Sequence, residues 1–199
     1  MPFWSDDFRN ANPELKDPKR QFRFKVEIGG IDADTGGQLV WYAKSVNKPS
    51  FEVSTAEHQY LNHKFYYPGG VTWNPVTMTL VDPRDPDMSA TLANIITQSG
   101  YAPPSTPNDL GSMSKSRSAG ALGTVLISQL DGDGNEIEKW TLWNSFITKV
   151  DYGQLQYEGG EGLVEITLDI AYDWARLQVM ESKGAMTVVE PGGTEFFRG

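Results

Sequence analysis

Apolar and polar residues alternate most regularly near the C-terminal end of the chain. From Val164 to Trp174 every even-numbered position is apolar or aromatic, and the odd-numbered positions include Glu165, Asp169 and Asp173. Successive side chains of a strand point to opposite faces, so this segment predicts one long strand with an apolar face and an acidic face. Because unpartnered buried carboxylates are costly, we expect the acidic face to meet solvent.

Similar alternation predicts several further strands. In Gln21–Ile28, Phe22 and Phe24 fall on the apolar face and charged residues on the other. Runs rich in β-branched and aromatic residues, bounded by glycine, proline or asparagine, are typical of strands. They predict strands at residues 39–46, 71–81, 124–130 and 137–147.

The segment Phe51–Phe65 alternates over a greater length but has few strongly apolar positions. The run Pro68-Gly69-Gly70 that follows is expected to close it, because these residues favour turns. A long, alternating and polar segment of this kind predicts a projecting hairpin rather than two strands of the core.

One helix is predicted, at about residues 86–99. Asp85 can cap its free N–H groups, Pro86 suits the first turn, and Gly100 suits the end. Its apolar stripe, at helical spacing, consists of Met88, Leu92, Ile95 and Ile96.

The remaining segments predict arms and a loop around one domain. Residues 1–20 and 177–199 lack a regular period and are expected to be N-terminal and C-terminal arms. Residues 101–123 are rich in proline, serine and glycine and predict a long loop. No internal repeat or domain boundary is visible, so we expect a single domain over residues 1–199.

Composition and charge exclude several classes of protein. The net charge is −9; residues 1–50 hold 8 Lys and Arg against 7 Asp and Glu, whereas residues 51–199 hold 9 against 19. Without clustered basic residues the chain is not expected to bind a phosphate backbone by counterion release. There is no cysteine, no apolar run long enough to span a membrane, and no signal-peptide pattern at the N-terminus.

Candidate chemical motifs are weak. The run Asp131–Asn135 has the acidic spacing of a calcium loop, but Glu136 and Leu142 occupy the positions where an EF-hand needs glycine and glutamate, so a hairpin turn is the better interpretation. Glu165 and Asp169 would lie about 13 Å apart along a strand, too far for a glycosidase pair. No glycine-rich nucleotide loop is present. We therefore predict no catalytic residue, no cofactor and no metal site, and a protein that is not an enzyme.

Three collinear blocks resemble the tail tube proteins of contractile-tailed bacteriophages (myoviruses), which are related to the haemolysin-coregulated tube proteins of type VI secretion. The blocks are Gln21–Ile28, the hairpin with the strand at residues 76–82, and the C-terminal pattern GQLQYEGGEGLVEITLDIAYDW. The resemblance runs in the same order from about residue 20 to about residue 176.

The resemblance implies a mainly β fold with two packed antiparallel sheets, or a flattened β-barrel, and one helix. It implies that hexameric rings of this chain stack into the inner tube of a contractile phage tail, and that the inner sheets line the conduit for DNA ejection. Implied partners are further copies, the tail sheath protein, and baseplate and tail-terminator proteins, with DNA passing through the lumen without specific binding. The implied location is the virion, after assembly in the cytoplasm of the host bacterium.

The resemblance also suggests two surfaces. The projecting hairpin would contact neighbouring subunits, and the candidate interface residues are Phe51, Glu57, His58, Tyr60, Asn62, His63 and Phe65. The face with Glu165, Asp169 and Asp173 is either an ordinary solvated face or an acidic wall of the conduit.

Two alternatives remain open from the sequence. One is a related tube component, either a baseplate tube initiator or a type VI secretion tube protein. The other is a soluble β-barrel enzyme or ligand carrier, which would need an interior cavity with converging polar groups.

Overall fold

Strands dominate the described part of the chain. A computed structural model describes residues 19–30, 42–85, 87–102, 111–157, 162–180 and 186–189. The helices within these residues are α1 (Met88–Gln98) and α2 (Lys115–Leu122). Its strands are β1 (Phe24–Ile28), β2 (Ala43–Val46), β3 (Ser50–Tyr60), β4 (His63–Asn74), β5 (Val76–Val81), β6 (Val125–Leu130), β7 (Glu136–Trp143), β8 (Phe146–Asp151), β9 (Glu165–Ala171), β10 (Trp174–Met180) and β11 (Met186–Val189).

The strands form two antiparallel sheets and a separate hairpin. The five-stranded sheet has the order β1-β6-β7-β10-β11, and the four-stranded sheet has the order β2-β5-β9-β8. Strands β3 and β4 form a two-stranded hairpin. The predicted mainly β fold with packed antiparallel sheets is confirmed, but neither sheet closes into the flattened barrel that was the alternative, within the residues that the structure describes.

A single apolar core lies between the two sheets and the helices. It combines inward-facing side chains of both sheets with one face of α1 and the C-terminal end of α2. Burial of these side chains is the main driving force for the fold. The largest fully buried ones are Ile28, Met78, Leu80, Met88, Leu92, Leu122, Leu142, Ile166, Leu168 and Ile170.

The C-terminal segment Val164–Trp174, whose alternation predicts one strand, belongs instead to two strands in different sheets. Strand β9 belongs to the four-stranded sheet and β10 to the five-stranded sheet, with a bend at Tyr172 and Asp173. Buried positions are even-numbered up to Tyr172, but the next buried residue is Ala175. Trp174, predicted on the apolar face, is therefore substantially exposed.

The predicted strand at residues 137–147 is divided at the same bend. It becomes β7 and β8, separated by Asn144 and Ser145. Asn144 has a φ of 53°, a left-handed conformation that asparagine tolerates better than most residues and that turns the chain from one sheet into the other. Strands β7–β8 and β9–β10 thus form one bent antiparallel ribbon shared by both sheets.

Three other predicted strands are shorter or divided. Strand β1 begins at Phe24 because residues 21 and 22 lie in a turn, so Phe22 is exposed rather than part of the core. Strand β2 begins at Ala43, and the preceding predicted residues 39–41 lie outside the described residues. Pro75 separates β4 from β5 because proline has no N–H for the ladder, whereas residues 68–70 lie inside β4 rather than ending it.

The predicted helix is confirmed with a different cap. Asp87, not Asp85, accepts a hydrogen bond from the backbone N–H of Ala90 at 2.9 Å. Pro86 lies outside the described residues. Gly100 follows the last turn with a φ of 103°, which glycine adopts without strain.

The prediction of an unbroken loop at residues 101–123 is wrong. Helix α2 forms there because the Ser114 side chain caps its first turn and Gly123, at a φ of 69°, ends it. Leu122 anchors the helix in the core. Residues 103–110, with the three prolines, lie outside the described residues.

The predicted arms are described only in part. Residues 177–180 belong to β10 and residues 186–189 to β11, so the interpretation of 177–199 as an arm is wrong for these segments. Residues 1–18, 181–185 and 190–199 lie outside the described residues. The single domain over 1–199 stays a prediction.

Candidate assembly surface

The β3–β4 hairpin is an extension of the pair β2–β5 beyond the four-stranded sheet. Strand β2 leads through residues 47–49 into β3, and β4 returns through Pro75 into β5. The backbone N–H of Asn47 still donates to the carbonyl of Thr77 at 3.0 Å, so the two ribbons are joined at the hairpin root. Beyond this point, β3 and β4 pair only with each other among the described residues.

The hairpin exposes many apolar side chains. Every residue of β3 is exposed, and so is every residue of β4 except Trp73 and Asn74. An uncovered two-stranded hairpin is at best marginally stable in water, and clustered exposed apolar residues commonly mark interaction sites. The large apolar residues exposed on the hairpin are Phe51, Val53, Tyr60, Leu61, Phe65, Tyr66, Tyr67 and Val71.

The register divides the outer half of the hairpin into an aromatic face and a polar face. Cross-strand partners lie on the same face of an antiparallel pair. The pairs on the aromatic face are His58 with Phe65, Tyr60 with His63, and Ala56 with Tyr67. The pairs on the polar face are Glu57 with Tyr66 and Gln59 with Lys64.

In the inner half of the hairpin the apolar residues lie on the opposite face. Phe51 pairs with Trp73 and Val53 pairs with Val71. The register shifts between this half and the outer half, where Gly69 and Gly70 of β4 oppose Ser54 of β3 in a β-bulge. A Cβ on Gly69 would approach the Ser54 hydroxyl oxygen to 2.4 Å, so glycine fits this close approach.

Aromatic contacts hold the hairpin root against the core. The rings of Phe51 and Trp73 are 5.2 Å apart in an edge arrangement, and the rings of Trp73 and buried Tyr172 are 5.9 Å apart. Such pairs favour a fixed relative orientation. The root is therefore fixed to the body, whereas the outer half makes no such aromatic contact with the core among the residues that the structure describes.

Leu61 at the hairpin tip has an unfavourable backbone conformation. Its φ is 53°, where glycine or asparagine is preferred, and its side chain is 77% exposed. Neither local conformation nor burial within the subunit accounts for a leucine here. Strained residues often occur at functional sites, and a contact with another molecule would account for both observations.

The structure brings together most of the candidate interface residues. His58, Tyr60, His63 and Phe65 share the aromatic outer face. Asn62 lies in the turn between the two strands. Glu57 lies on the polar face, where its carboxylate is 2.7 Å from the Lys64 ammonium, and Phe51 lies at the root. Alternation along β3 places Phe51 and Glu57 on one face and His58 and Tyr60 on the other. The bulge in β4 depends on strand register, which the sequence pattern does not show.

A buried carboxylate ties the hairpin root to the five-stranded sheet. Glu138 of β7 contacts the Lys19 ammonium, accepts from Lys48 at 2.6 Å, and accepts from the Trp140 indole N–H at 2.7 Å. Lys48 also donates to Gln129 at 2.6 Å. Burial by itself would raise the pKa of Glu138, but the hydrogen bonds from both lysines and Trp140 outweigh burial and lower the pKa from 4.5 to about 2.

We expect Glu138→Gln to destabilise the subunit by about 1–3 kcal/mol at neutral pH, because the substitution leaves two ammonium groups without a counter-charge. A lowered pKa in the folded state stabilises above the unfolded pKa of 4.5, and this contribution is lost as pH falls toward about 2. Chemical denaturation of both proteins between pH 7 and pH 3 measures the difference, which should shrink with acid.

The exposed Glu57–Lys64 pair provides the control, and Glu57→Gln should change stability by less than about 0.5 kcal/mol. Equal effects of Glu138→Gln and Glu57→Gln would contradict a structural role for the buried carboxylate.

The face of β9 that points away from the core is polar but not purely acidic. Glu165 is paired with Lys44, and Asp169 accepts from the Thr77 hydroxyl at 2.7 Å and lies opposite Lys149. Thr79 and Thr167 form a cross-strand pair on the same face. The expectation of an acidic face is therefore corrected, since lysines and threonines from neighbouring strands offset the carboxylates.

Asp173 does not share this face. It lies at the bend of the ribbon, where it accepts from Lys115 at 2.6 Å and from the Asn144 amide at 2.8 Å. The hydrogen bonds from Lys115 and Asn144 lower its pKa. Asp173 thus holds α2 against the bend. It lies off the polar face of β9 because that strand ends at Ala171, before the chain reaches this residue.

The described residues contain no group of three or more His, Cys, Asp or Glu placed to hold a metal ion. The run Asp131–Asn135 forms the turn between β6 and β7, as predicted, with the Asp131 carboxylate accepting from the backbone N–H groups of Asp133 and Asn135, each at 2.8 Å. Neither described helix has the length and apolar character needed to cross a membrane.

An open groove of about 690 Å³ lies between β1, β2, β6 and β7. Phe24, Val46, Ile127 and Trp140 contribute apolar side chains to it. Two of its polar groups, Lys48 and Gln129, are already hydrogen-bonded to each other, and Lys48 is also paired with Glu138. These two polar groups are therefore already engaged within the subunit, rather than free to converge on a ligand in the way that the ligand-carrier alternative would require.

Solved structures share this fold. A chain in the cryo-EM structure of the anti-feeding prophage (AFP) tube-terminating cap matches with a TM-score of 0.61 and 16% identity, over 85% of this chain and 97% of that chain. A chain in the sheath–tube complex of the extracellular contractile injection system PVC matches with a TM-score of 0.59 and 15% identity, over 83% and 94%. A chain in the PVC sheath/tube terminator structure matches with a TM-score of 0.60 and 17% identity, over 83% and 100%.

Sequence comparison adds nothing to these structural matches. No protein-family model matches the chain, and a search of curated proteins gave no match. The expected tube-protein fold is confirmed by structure alone: this chain has the fold of chains found in contractile injection systems.

Proposed function

We propose that this chain is a structural subunit of the inner tube of a contractile phage tail, in which hexameric rings stack to form a conduit for DNA ejection. The observation that carries the proposal is the exposed apolar hairpin on a fold shared, over 83% of this chain and 94% of that chain, with a chain from a sheath–tube complex. A structural subunit of this kind is not an enzyme and acts through contacts with other subunits.

The open sheets also support self-assembly. Strands β2 and β8 are the edges of the four-stranded sheet, and Thr148 and Lys149 on β8 are exposed. An exposed edge strand tends to pair with another chain unless it is protected, and a closed ring gives every such edge a partner. Edge pairing between copies would join the four-stranded sheets into a continuous inner wall.

The polar face of β9 suits the wall of such a conduit. Lys44 is paired with Glu165, and Lys149 lies opposite Asp169, so neither lysine forms part of a basic stripe. A mixed, hydroxyl-rich surface gives DNA few phosphate contacts and so permits passage without specific binding. We propose that this face lines the lumen, and that the opposite side of the ring meets the sheath.

Electron microscopy of the purified protein tests the proposal. At high protein concentration, and at a salt concentration that screens the net charge of −9, negative staining should show rings or tubes with a central hole. A protein that remains monomeric in sedimentation experiments over the whole range of concentration and salt would contradict it.

A second candidate is a component at the end of a tube. The AFP tube-terminating cap and the PVC sheath/tube terminator both contain a chain with this fold, and so does the AFP baseplate, with a TM-score of 0.59. The length of the assembled particles separates the possibilities. An elongating tube protein forms long tubes, whereas an initiating or terminating protein forms single rings.

A further inference from the structure

We propose that His58 and His63 form a chelating site for one divalent transition-metal ion, such as Zn²⁺, Ni²⁺ or Cu²⁺, on the aromatic face of the β3–β4 hairpin. These residues are the only two histidines of the chain. Four residues separate them in the sequence, a spacing that by itself indicates no metal site. It is the pairing of the two strands that makes them neighbours.

The register places both imidazole rings on one face of the hairpin. His58 of β3 is paired with Phe65, and His63 of β4 is paired with Tyr60. His58 and His63 are therefore diagonal neighbours, and residues in this relation lie about 7–8 Å apart. The register shift of the hairpin lies nearer the root, between Val53 and Thr55, so the ladder that joins the two histidine positions is regular.

Two imidazole rings can span this separation with one ion between them. A ring nitrogen binds Zn²⁺ at about 2.0–2.1 Å, so each histidine has to reach only to a point between the two residues. Both His58 and His63 are exposed, which leaves their rings room to turn toward each other. The hairpin can therefore present two nitrogen ligands to the same ion.

The chemistry of the ligands selects the class of metal. Imidazole suits Zn²⁺, Cu²⁺ and Ni²⁺, whereas Mg²⁺ and Ca²⁺ prefer oxygen ligands. The nearby carboxylate of Glu57 lies on the polar face, where it is 2.7 Å from the Lys64 ammonium. The site thus has two protein ligands, one fewer than the groups of three that the described residues lack, and water completes the coordination of the ion.

An ion held by both histidines connects the two strands of the outer hairpin. Beyond the root, β3 and β4 pair only with each other among the described residues, and an isolated two-stranded hairpin is at best marginally stable in water. A ligand that binds only the paired state stabilises that state. The ion therefore acts as a clip across the strands near the hairpin tip.

Isothermal titration calorimetry of the purified chain, without a histidine tag, tests the site with Ni²⁺ and with Zn²⁺. The parent should bind one ion per chain, and excess Mg²⁺ should not compete. His58→Gln and His63→Gln should each weaken binding about 100-fold, because two linked ligands bind about 10²–10⁴ times more tightly than one.

A variant with a relocated histidine separates the geometry of the site from the number of histidines. His63→Gln combined with Lys64→His keeps two histidines but moves one to the polar face, opposite Gln59. This variant should bind as weakly as the single variants. The substituted residues are all exposed, so circular dichroism should show that each variant folds like the parent.

Amide hydrogen exchange then locates the bound ion. At a free metal concentration 100 times the Kd, exchange that requires the outer strands to separate should slow about 100-fold. The turn at Asp131–Asn135, between β6 and β7, is the internal control and should exchange at an unchanged rate.

Several outcomes would overturn the inference. Equal affinity of the parent and the single variants would mean that the ion is held elsewhere. A relocated variant that bound as tightly as the parent would show that the diagonal geometry plays no part. A parent that bound no ion at millimolar metal, or whose hairpin amides exchanged at the same rate with and without metal, would have no such clip. These measurements use the unassembled chain, so their failure leaves the proposed function untouched.

Discussion

Shortening the hairpin is expected to abolish tube growth while leaving the subunit folded. In the shortened protein, residues 57–66 are replaced by Asn-Gly between the paired residues Ala56 and Tyr67, because this dipeptide favours a two-residue hairpin turn. The deleted residues are exposed, so the free energy of unfolding should change by less than about 1 kcal/mol. The lost contacts would lie between copies, and every interface in a symmetric assembly would lose them.

A second shortened turn provides the control. Replacing residues 131–135 by Asn-Gly between Leu130 and Glu136, which face each other in the register, alters a turn of similar exposure elsewhere in the subunit. This variant should form normal tubes, whereas the shortened hairpin should give rings alone in sedimentation and microscopy. Tubes of normal length from the shortened hairpin would remove the outer hairpin from the assembly mechanism.

Substitution of Leu168 by alanine is expected to destabilise the subunit by about 2–5 kcal/mol, since it leaves a cavity in a fully buried site. Leu168 lies in the middle of the four-stranded sheet, opposite Met78 on β5 and Val150 on β8. Denaturant unfolding of the monomeric subunit measures the loss.

The neighbouring residue gives a matched comparison. Asp169 points away from the core and accepts from the Thr77 hydroxyl, and the amide of asparagine retains an acceptor oxygen for that bond. Asp169→Asn should therefore stay within about 1 kcal/mol of the parent. A larger loss for Asp169→Asn than for Leu168→Ala would reverse the assigned faces of β9.

The pattern of the sequence predicted those elements whose conformation and burial depend on residues close to them in the chain. The alternation around Leu168 assigned the faces of β9 because one side of that strand is packed along its whole length. The polar alternation of Phe51–Phe65 predicted a projecting hairpin, and the spacing of Met88, Leu92 and Ile95 predicted α1.

Features that depend on distant residues were not predictable from the pattern. The bend at Asn144 and Tyr172 changes which positions are buried. The sequence on each side of it still alternates between apolar and polar residues, as in an ordinary strand, so the pattern does not show the bend. The cap Ser114 and the stop Gly123 of α2 were visible, but serine and glycine are equally common in loops. Nothing local indicated the partners of Glu138, because Lys19 and Lys48 are far from it in sequence.

The bent ribbon gives the subunit a continuous covalent path between its two sheets. At residues 144–145 and 172–173 two adjacent backbones pass from one sheet into the other, joined by the hydrogen bond from the Asp173 N–H to the Trp143 carbonyl at 3.0 Å. A force that pulls the two sheets apart at this bend therefore acts on two backbone segments of the same chain, as well as on the apolar contacts between the sheets. In the proposed tube, driven forward by a contracting sheath, the two layers would separate here only after strands were stripped from a sheet.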